Sequence, residues 1–142
     1  MDPLETQLRA RAREALRESL EELRREAVDA ELPRGQGSPT AAGLKLVQAS
    51  PNHFQVLANR VWEWLNDGTG IYNPEHAGQG PGGRIVPVFA RALHFKNKVL
   101  AQALGFKDEN VFLKSVRGIQ PRFIWDRHFR EERILEKFAR KL

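Results

Sequence analysis

Apolar residues recur at steps of three and four along the first 32 residues, which is the spacing of one face of an α-helix. Asp2 is placed to cap this helix, and Pro3 suits the first helical position. The apolar positions are Leu4, Leu8, Ala12, Ala15, Leu16, Leu20, Leu23 and Ala27. Glutamates and arginines lie between them, as on a solvated helix face with ion pairs. The pattern predicts a long amphipathic helix over residues 1–32.

The segment that follows this helix reads LPRGQGSPTAAG and contains two prolines and three glycines. Such a composition is typical of loops and flexible connections rather than of regular structure. We therefore expect a linker over residues 33–42, by which the first helix is hinged to the rest of the chain.

From residue 43 onward apolar and polar residues alternate, which is typical of a β-strand with one buried face. The strand GLKLVQAS is followed by a PN turn and by HFQVLANRVWEWL, in which Phe54, Val56 and Ala58 share a face. These features predict an antiparallel hairpin. The residues from Val61 to Leu65 also fit helical spacing, so the second strand is free to change into a short helix there.

Two further segments, RIVPVFARALHF and NVFLKSVRG, have the composition of strands. Pro87 in the first of them cannot donate a hydrogen bond to a central ladder, so it marks an edge, a bulge or a strand start. The remaining residues predict a helix over 121–142. Its apolar face is formed by Trp125, Phe129, Ile134, Leu135, Phe138 and Leu142.

The order of these elements is a helix, a run of strands and a helix, which indicates the α+β class with an antiparallel sheet. The sheet is expected to be packed by the long N-terminal helix and by the C-terminal helix. We expect one domain over residues 1–142, because this length is ordinary for a single domain. Its β-rich body covers residues 43–120 and includes a long glycine-rich loop at about 66–84.

Charge is unevenly spread along the chain, whose net value is +5. Residues 1–32 hold six basic and nine acidic side chains, so this segment is near −3 and the remainder near +8. A basic body is consistent either with a polyanion nearby or with simple solvation. No stretch approaches the roughly 20 apolar residues of a membrane span, and the charged N-terminus does not resemble a signal peptide. We expect a soluble, unsecreted chain that does not contact a membrane.

Candidate chemistry is sparse. The chain has no cysteine, which excludes disulfides, thiolate zinc sites and a cysteine nucleophile. The glycines of GQGPGG satisfy the dinucleotide-binding spacing, but a strand containing Pro87 follows where that motif requires a helix. Asp67, Glu75 and His76 share the glycine-rich loop and are the candidates for an acid, a base or a metal ligand, as in a small hydrolase. We favour a protein that is not an enzyme and has no cofactor or metal.

The three tryptophans, Trp62, Trp64 and Trp125, are candidates for stacking on single-stranded nucleic acid. Such platforms need basic neighbours, whereas the first two flank Glu63 and lie near Asp67. Tryptophan also buries a large area in cores and anchors protein interfaces. A core or interface role is therefore favoured over base stacking.

The central part of the chain resembles the neck and minor-tail proteins of long-tailed bacteriophages, which comprise head-tail connector, tail-completion and tail-terminator proteins. The resemblance covers residues 60 to 125. It rests on the succession of VWEWLNDGTGIY, a glycine-rich loop, RIVPVFARALHF and VFLKSVRGIQPRFIW before a terminal helix. No single motif among these is diagnostic, and the order and spacing together carry the similarity.

The resemblance implies a structural virion protein of the neck or upper tail, assembled in the host cytoplasm. It implies a homo-oligomeric ring, expected to be a hexamer, that joins the portal-side connector or stopper proteins to the major tail tube protein. We expect the glycine-rich loop to become ordered on assembly. The expected oligomer interface consists of Trp62, Trp64, Gly68, Thr69, Gly70, Tyr72, Phe89 and Phe123.

Double-stranded DNA passes through the hole of such a ring. Basic side chains that line it would contact phosphates without reading sequence. The expected channel residues are Lys96, Lys98, Lys114, Arg117 and Arg122. The alternative function is a free nucleic-acid-binding module without sequence specificity, which would bind DNA as a monomer in a salt-sensitive way.

Overall fold

The computed structural model describes residues 2–88, 91–96 and 98–142. In chain order its elements are α1 (Pro3–Glu31), β1 (Leu44–Ser50), β2 (His53–Ala58), α2 (Arg60–Asp67), β3 (Leu93–Lys96), α3 (Lys98–Leu104), β4 (Asn110–Leu113), α4 (Ile124–His128) and α5 (Glu131–Lys141). Short 3-10 helices lie at Gly35–Gly37, Pro39–Gly43 and Pro81–Gly83. The fold is α+β with antiparallel strand pairs, and α1 packs against α5, which confirms the predicted class.

The chain, predicted from its sequence to be one domain, forms two compact units. Unit 1 consists of Met1–Asn66 and Phe123–Leu142, and unit 2 consists of Asp67–Arg122. The strands form two separate two-stranded sheets, β1 with β2 in unit 1 and β3 with β4 in unit 2. Among the described helices, none combines the length and the apolar character that a membrane crossing requires.

Helix α1 begins where the sequence predicts. The Asp2 Oδ1 atom accepts a hydrogen bond from the Leu4 amide at 2.9 Å, and Pro3 occupies the first turn. From Ala15 onward the apolar stripe is buried in unit 1, and Leu23 and Ala27 are completely buried. Residues 3–11 are exposed throughout. The helix therefore has a buried C-terminal part and an exposed N-terminal part.

The segment after α1 is not the hinged linker that its composition predicts. It forms a turn followed by the first two 3-10 helices, the second of which is capped by the Ser38 hydroxyl. The Gln36 amide donates a hydrogen bond to the Arg25 carbonyl of α1 at 3.1 Å, and Ala41 is buried. These contacts hold the segment against the helix, so the prediction of a hinge at 33–42 is wrong.

The hairpin is confirmed. β1 pairs with β2 in antiparallel register, with Leu44 opposite Ala58 and Leu46 opposite Val56. Along β2, half-buried residues alternate with exposed ones, so that Phe54, Val56 and Ala58 face inward. The change to a helix after the second strand is confirmed as well, because α2 follows directly.

The core of unit 1 surrounds Trp62 of α2, which is completely buried. Its indole Nε1 donates a hydrogen bond to the Thr40 carbonyl at 2.9 Å, so the polar atom of the ring is satisfied. The Asn59 side chain accepts a hydrogen bond from the Trp62 amide and caps the helix. The buried apolar residues around it are Ala27, Val28, Leu32, Ala41, Leu44, Leu65 and Ile124.

The predicted C-terminal helix over 121–142 is interrupted. It consists of α4 and α5, with a break at Phe129 and Arg130. Asn66 fixes the start of α4, because its carbonyl accepts from the Phe123 amide at 3.2 Å and its side chain accepts from the Trp125 amide at 3.0 Å. Phe123 itself takes a positive φ of 52°, which is uncommon for a residue with a side chain.

Ion pairs join α1 to α5. Lys137 contacts Glu26 at 2.8 Å and Glu22 at 3.3 Å, Lys141 contacts Glu22 at 2.6 Å, and Arg133 contacts Glu26 at 2.9 Å. The hydrogen bond from Lys141 lowers the pKa of Glu22, and the hydrogen bond to Glu26 raises the pKa of Lys137. The acidic surplus of α1 is therefore matched by basic residues from the other end of the chain.

A buried carboxylate links α1 to α4. Glu31 Oε1 lies 2.9 Å from His128 Nε2 and 2.8 Å from Arg127 Nη1. The position of Glu31 at the C-terminal end of α1 is unfavourable for a negative charge, and the two basic side chains offset this. Among the described residues the Nδ1 atom of His128 is buried without a hydrogen-bond partner.

Unit 2 is joined mainly through its backbone. The amide of Thr69 donates to the Ile119 carbonyl at 2.9 Å, and the amide of Ile71 donates to the Arg117 carbonyl at 2.8 Å. Ile85 and Val116 exchange two further backbone hydrogen bonds of 2.8 and 2.9 Å. The loop predicted at 66–84 is thus paired with the segment after β4.

The two predicted strands of unit 2 are shorter than their sequences indicate. Of RIVPVFARALHF, Ile85 forms an isolated bridge and Leu93–Lys96 forms β3. Of NVFLKSVRG, Asn110–Leu113 forms β4 and Val116 forms the bridge partner of Ile85. The short helix α3, which was not among the predicted elements, lies between them.

Candidate interaction surfaces

All five predicted channel residues lie in unit 2. Lys96 ends β3, Lys98 begins α3, Lys114 follows β4, and Arg117 and Arg122 lie in the segment after it; each is exposed. Residues 67–122 contain eight lysines and arginines and four aspartates and glutamates, which accounts for +4 of the net charge of +5. The basic surplus predicted for the body of the chain is therefore concentrated in one unit.

The strand pairing separates these residues along the β3–β4 ribbon. Leu93 lies opposite Leu113 and Lys96 lies opposite Asn110. Lys96 and Lys114 therefore lie toward opposite ends of the ribbon, about 13 Å apart along the strands at 3.3 Å per residue. Such a spread is suited to several phosphates of a long polyanion rather than to one small anion.

Four of the eight predicted interface residues are buried within their own unit. Trp62 belongs to the core of unit 1, and Gly68, Thr69 and Gly70 are buried in unit 2. The Thr69 hydroxyl accepts a hydrogen bond from the Ile119 amide at 2.9 Å, which explains its burial. In the single chain these four residues offer little surface to a second subunit, and the interface role predicted for them stays a prediction.

Of the other four, Tyr72 and Phe123 are exposed, with 37% and 57% of their surface accessible. Trp64 is half-buried. Phe89 lies outside the described residues. Tyr72 and Phe123 therefore remain candidates for contact with another chain.

Loop order in unit 2 comes from contacts within the chain. A Cβ atom on Gly70, which has a φ of 64°, would overlap the carbonyl of Arg117, and one on Gly118 would overlap the carbonyl of Thr69. Only glycine permits this close approach of two backbones. These contacts within the chain are enough to position the loop, and the expectation that it becomes ordered on assembly stays a prediction.

Asp67 and His76 are brought together, with 3.3 Å between Oδ2 and Nε2. The same turn is closed by the Gly70 amide, which donates to the His76 carbonyl at 3.0 Å, and by the Asn73 side chain, which donates to the Asp67 carbonyl. Among the described residues no cluster of three or more histidines and carboxylates is arranged to hold a metal. The contact between Asp67 and His76 is thus one of the hydrogen bonds that close an exposed turn.

Unit 2 exposes more apolar side chains than the sequence patterns predict. The exposed side chains are Ile71, Tyr72, Val88, Phe95, Val99, Leu104, Phe112 and Ile119. His94 stacks on Phe112 with ring centroids 4.9 Å apart. The signal in the sequence is that NVFL carries apolar residues on both faces of a strand, where a free-standing sheet would have polar ones on one face. Exposed apolar patches of this kind mark interaction surfaces.

Unit 1 contains an open apolar groove with a volume of about 430 Å³. It is lined by Leu20 of α1, by Phe54, Val56 and Ala58 of β2, by Trp125 and Phe129, and by Ile134 of α5. The sequence predicted each of these apolar faces, but the opening between them depends on the break between α4 and α5, which has no local sequence signal. We refer to this site as the apolar groove.

No protein-family model, curated protein or solved structure matches this chain. Its function therefore has to follow from its own surfaces. These are a basic unit 2 with exposed apolar side chains, and a unit 1 with balanced charge and an apolar groove.

Proposed function

We propose that this chain is a structural subunit of the neck or upper tail of a long-tailed bacteriophage. Copies of it form a ring that joins the portal-side connector or stopper proteins to the major tail tube protein, and double-stranded DNA passes through the ring. The observation that carries this proposal is the concentration of basic charge at exposed positions of unit 2. The resemblance of residues 60 to 125 to neck and minor-tail proteins supplies the context.

Exposed apolar side chains on the same unit support self-assembly. A ring is built from heterologous contacts, in which one patch of a subunit meets a different patch of the next. Phe95 and Phe112 lie on opposite faces of the β3–β4 ribbon with 39% and 54% of their surface accessible, so the ribbon exposes apolar surface on both faces. A two-stranded ribbon is marginally stable by itself and gains from pairing or covering.

Moderate positive charge suits a channel through which DNA has to slide. Lysine and arginine contacts to phosphates are independent of base sequence and weaken as salt is added. Tight binding would slow the passage of the DNA, whereas a few spaced positive charges screen the phosphates without strong binding. The spacing of Lys96 and Lys114 along the ribbon is consistent with this requirement.

The test compares two triple variants that change the net charge equally. Lys96→Glu, Lys98→Glu and Lys114→Glu reverse three charges of unit 2, and Arg34→Glu, Lys45→Glu and Arg60→Glu reverse three exposed charges of unit 1. We expect the wild type to form a closed oligomer with a central hole, seen by light scattering and electron microscopy. The unit 2 variant should keep that mass but bind duplex DNA at least about tenfold more weakly. The slope of the logarithm of its binding constant against the logarithm of the salt concentration should become shallower by about 0.9 for each phosphate contact removed.

Two results would contradict the proposal. Equal loss of DNA affinity in both variants would mean that net charge alone matters and that unit 2 has no special role. A chain that stays monomeric at every concentration, yet binds DNA saturably with a defined site size, would favour the alternative of a free nucleic-acid-binding module.

A further inference from the structure

The first three turns of α1 carry an uncovered apolar stripe. Residues 3–11 are exposed, and Leu4 and Leu8 have 61% and 58% of their surface accessible. The two leucines lie one turn apart and continue the stripe that is half-buried at Ala12 and buried at Ala15. The Arg11 side chain donates a hydrogen bond to the Leu142 carbonyl at 3.1 Å, so the last residue of the chain lies beside Arg11 and leaves Leu4 and Leu8 uncovered. We call residues 3–11 the exposed segment of α1.

The apolar groove of unit 1 is concave, whereas the two exposed leucines of α1 form a ridge. The volume of the groove is within the range of ligand pockets, so it is large enough to hold more than one side chain. A ridge of two leucines at helical spacing is a suitable occupant, because helices recognised by grooves present anchors at steps of three and four.

The exposed segment cannot fill the groove of its own chain. Leu20, which lines the groove, belongs to the same continuous helix as Leu8. Twelve residues of α-helix separate the two positions by about 18 Å along the axis. The occupant that matches the groove must therefore come from a different molecule.

Charge favours the same pairing. A shallow depression adjoins the groove, shares Trp125 and Phe129 with it, and adds three carboxylates against one arginine. Those side chains are Asp126, Glu131, Glu132 and Arg130. The exposed segment carries Arg9 and Arg11 against Glu5. The helix with the basic surplus thus meets a rim with an acidic one.

We propose that Leu4 and Leu8 of one copy of this chain insert into the apolar groove of a second copy. Each copy donates one helix and receives another, which is a head-to-tail contact that closes into a ring when the rotation permits. The inference rests on the proposed function for the closure into a ring, and it names a contact between neighbouring copies that is separate from the exposed apolar side chains of unit 2.

The first experiment removes the ridge without disturbing the fold. Leu4→Glu with Leu8→Glu changes two exposed side chains, and the matched control, Leu57→Glu with Val61→Glu, changes two exposed apolar side chains of unit 1 outside the groove. We expect the wild type to associate and the control to retain its mass. The Leu4/Leu8 variant should shift to the monomer, with association weakened at least about tenfold and an unchanged circular dichroism spectrum.

The second experiment uses the absence of cysteine in the chain. A Leu8→Cys protein is mixed with an Ala58→Cys protein under mild oxidation, and the control mixture replaces Ala58→Cys by Leu57→Cys. Ala58 faces the groove, whereas the neighbouring Leu57 is exposed on the other face of β2. We expect a disulfide-linked heterodimer from the first mixture and at least tenfold less from the control.

The outcomes separate this inference from the proposed function. A Leu4/Leu8 variant that keeps the wild-type mass, or equal cross-linking at positions 57 and 58, overturns the groove contact and leaves the ring to another interface. A wild type that is monomeric and yields no cross-link overturns the contact as well. Failure of the unit 2 charge variant to weaken DNA binding removes the channel without affecting either result.

Discussion

In unit 1 the side chains of Trp62, Leu23 and Leu44 are completely buried, whereas in unit 2 the completely buried apolar side chains of the described residues are those of Ala101 and Val111. Unit 2 is held instead by backbone hydrogen bonds between distant segments. A side-chain core tolerates replacements that conserve volume. Two backbone segments that pair at close range depend instead on glycines at particular positions, because any side chain there would keep the segments apart.

The two units differ in charge as well. In unit 1 the acids of α1 pair with the bases of α5, and residues 1–66 and 123–142 together contribute +1 of the net charge. Unit 2 contributes +4. The acidic N-terminal segment therefore serves intramolecular pairing, and the charge available for a polyanion is the surplus of unit 2.

The largest expected effect is on the core of unit 1. Trp62→Ala removes a completely buried ring and leaves the Thr40 carbonyl without its donor, which should lower the free energy of unfolding by about 3–5 kcal/mol. Denaturant unfolding followed by circular dichroism measures this loss. Trp64→Ala, two positions away and half-buried, is the control and should cost clearly less. Equal losses would mean that the two rings share the core.

The backbone join of unit 2 is tested at two glycines that both have positive φ. Gly70→Ala places a methyl group against the Arg117 carbonyl, whereas a methyl group on Gly82 meets nothing within 4 Å. Gly82→Ala should cost about 1 kcal/mol from backbone strain alone, and Gly70→Ala about 3 kcal/mol or more. Hydrogen exchange of the Thr69, Ile71 and Val116 amides reports the loss of protection.

Equal loss of protection in both variants would contradict the view that a close approach, rather than the left-handed backbone alone, requires glycine at position 70. Protection that stays at the wild-type level in the Gly70→Ala protein would show that the two segments separate without cost.

The smallest expected effect is on the ion pairs of unit 1. Glu22→Gln with Glu26→Gln should lower stability by about 0.2–1 kcal/mol per pair, because the pairs are partly exposed to solvent. Thermal unfolding of the wild type and the variant, measured at low salt over a range of pH, gives the difference in stability. Glu5→Gln, which breaks an exposed pair within α1 alone, is the control.

The sign of the pH dependence follows from the pKa shifts. Since the pKa of Glu22 is lowered by Lys141, its contribution is present above the ordinary value of 4.5 and is lost as the pH falls through the lower folded value. Since the pKa of Lys137 is raised by Glu26, its contribution is present below the ordinary value of 10.5 and is lost as the pH rises through the higher folded value. The difference between wild type and variant should be largest between these limits. A difference that persists at pH 2 would contradict an electrostatic origin.

Local patterns were sufficient for α1, the β1–β2 hairpin and α2, because capping, alternation and helical spacing are encoded within a few residues. They were insufficient for the order of the loop at 67–84, which depends on partners some 50 residues away, such as Ile119 for Thr69. For Trp62 the sequence favoured a core or an interface role but could not choose between them, since the helical spacing from Val61 to Leu65 does not say which residue faces Thr40.

The candidate site was predictable in its charge and not in its geometry. All five expected channel residues are exposed in unit 2, in agreement with a polar segment whose basic residues are spread along it. The apolar groove was not predictable, because the break between α4 and α5 at Phe129 and Arg130 contains neither proline nor glycine. Its position is set by packing against α1 and β2.

The division of unit 1 between both ends of the chain has a consequence for biosynthesis. α1 is translated before unit 2, but α4 and α5, which pack against it, are translated after unit 2. At 5–20 residues per second, the intervening stretch of roughly 100 residues takes about 5–20 s to synthesise. Throughout that interval the stripe containing Leu23 and Ala27 has no native partner from α5. Until α4 and α5 have been synthesised, the nascent polypeptide therefore lacks part of the native cover of α1.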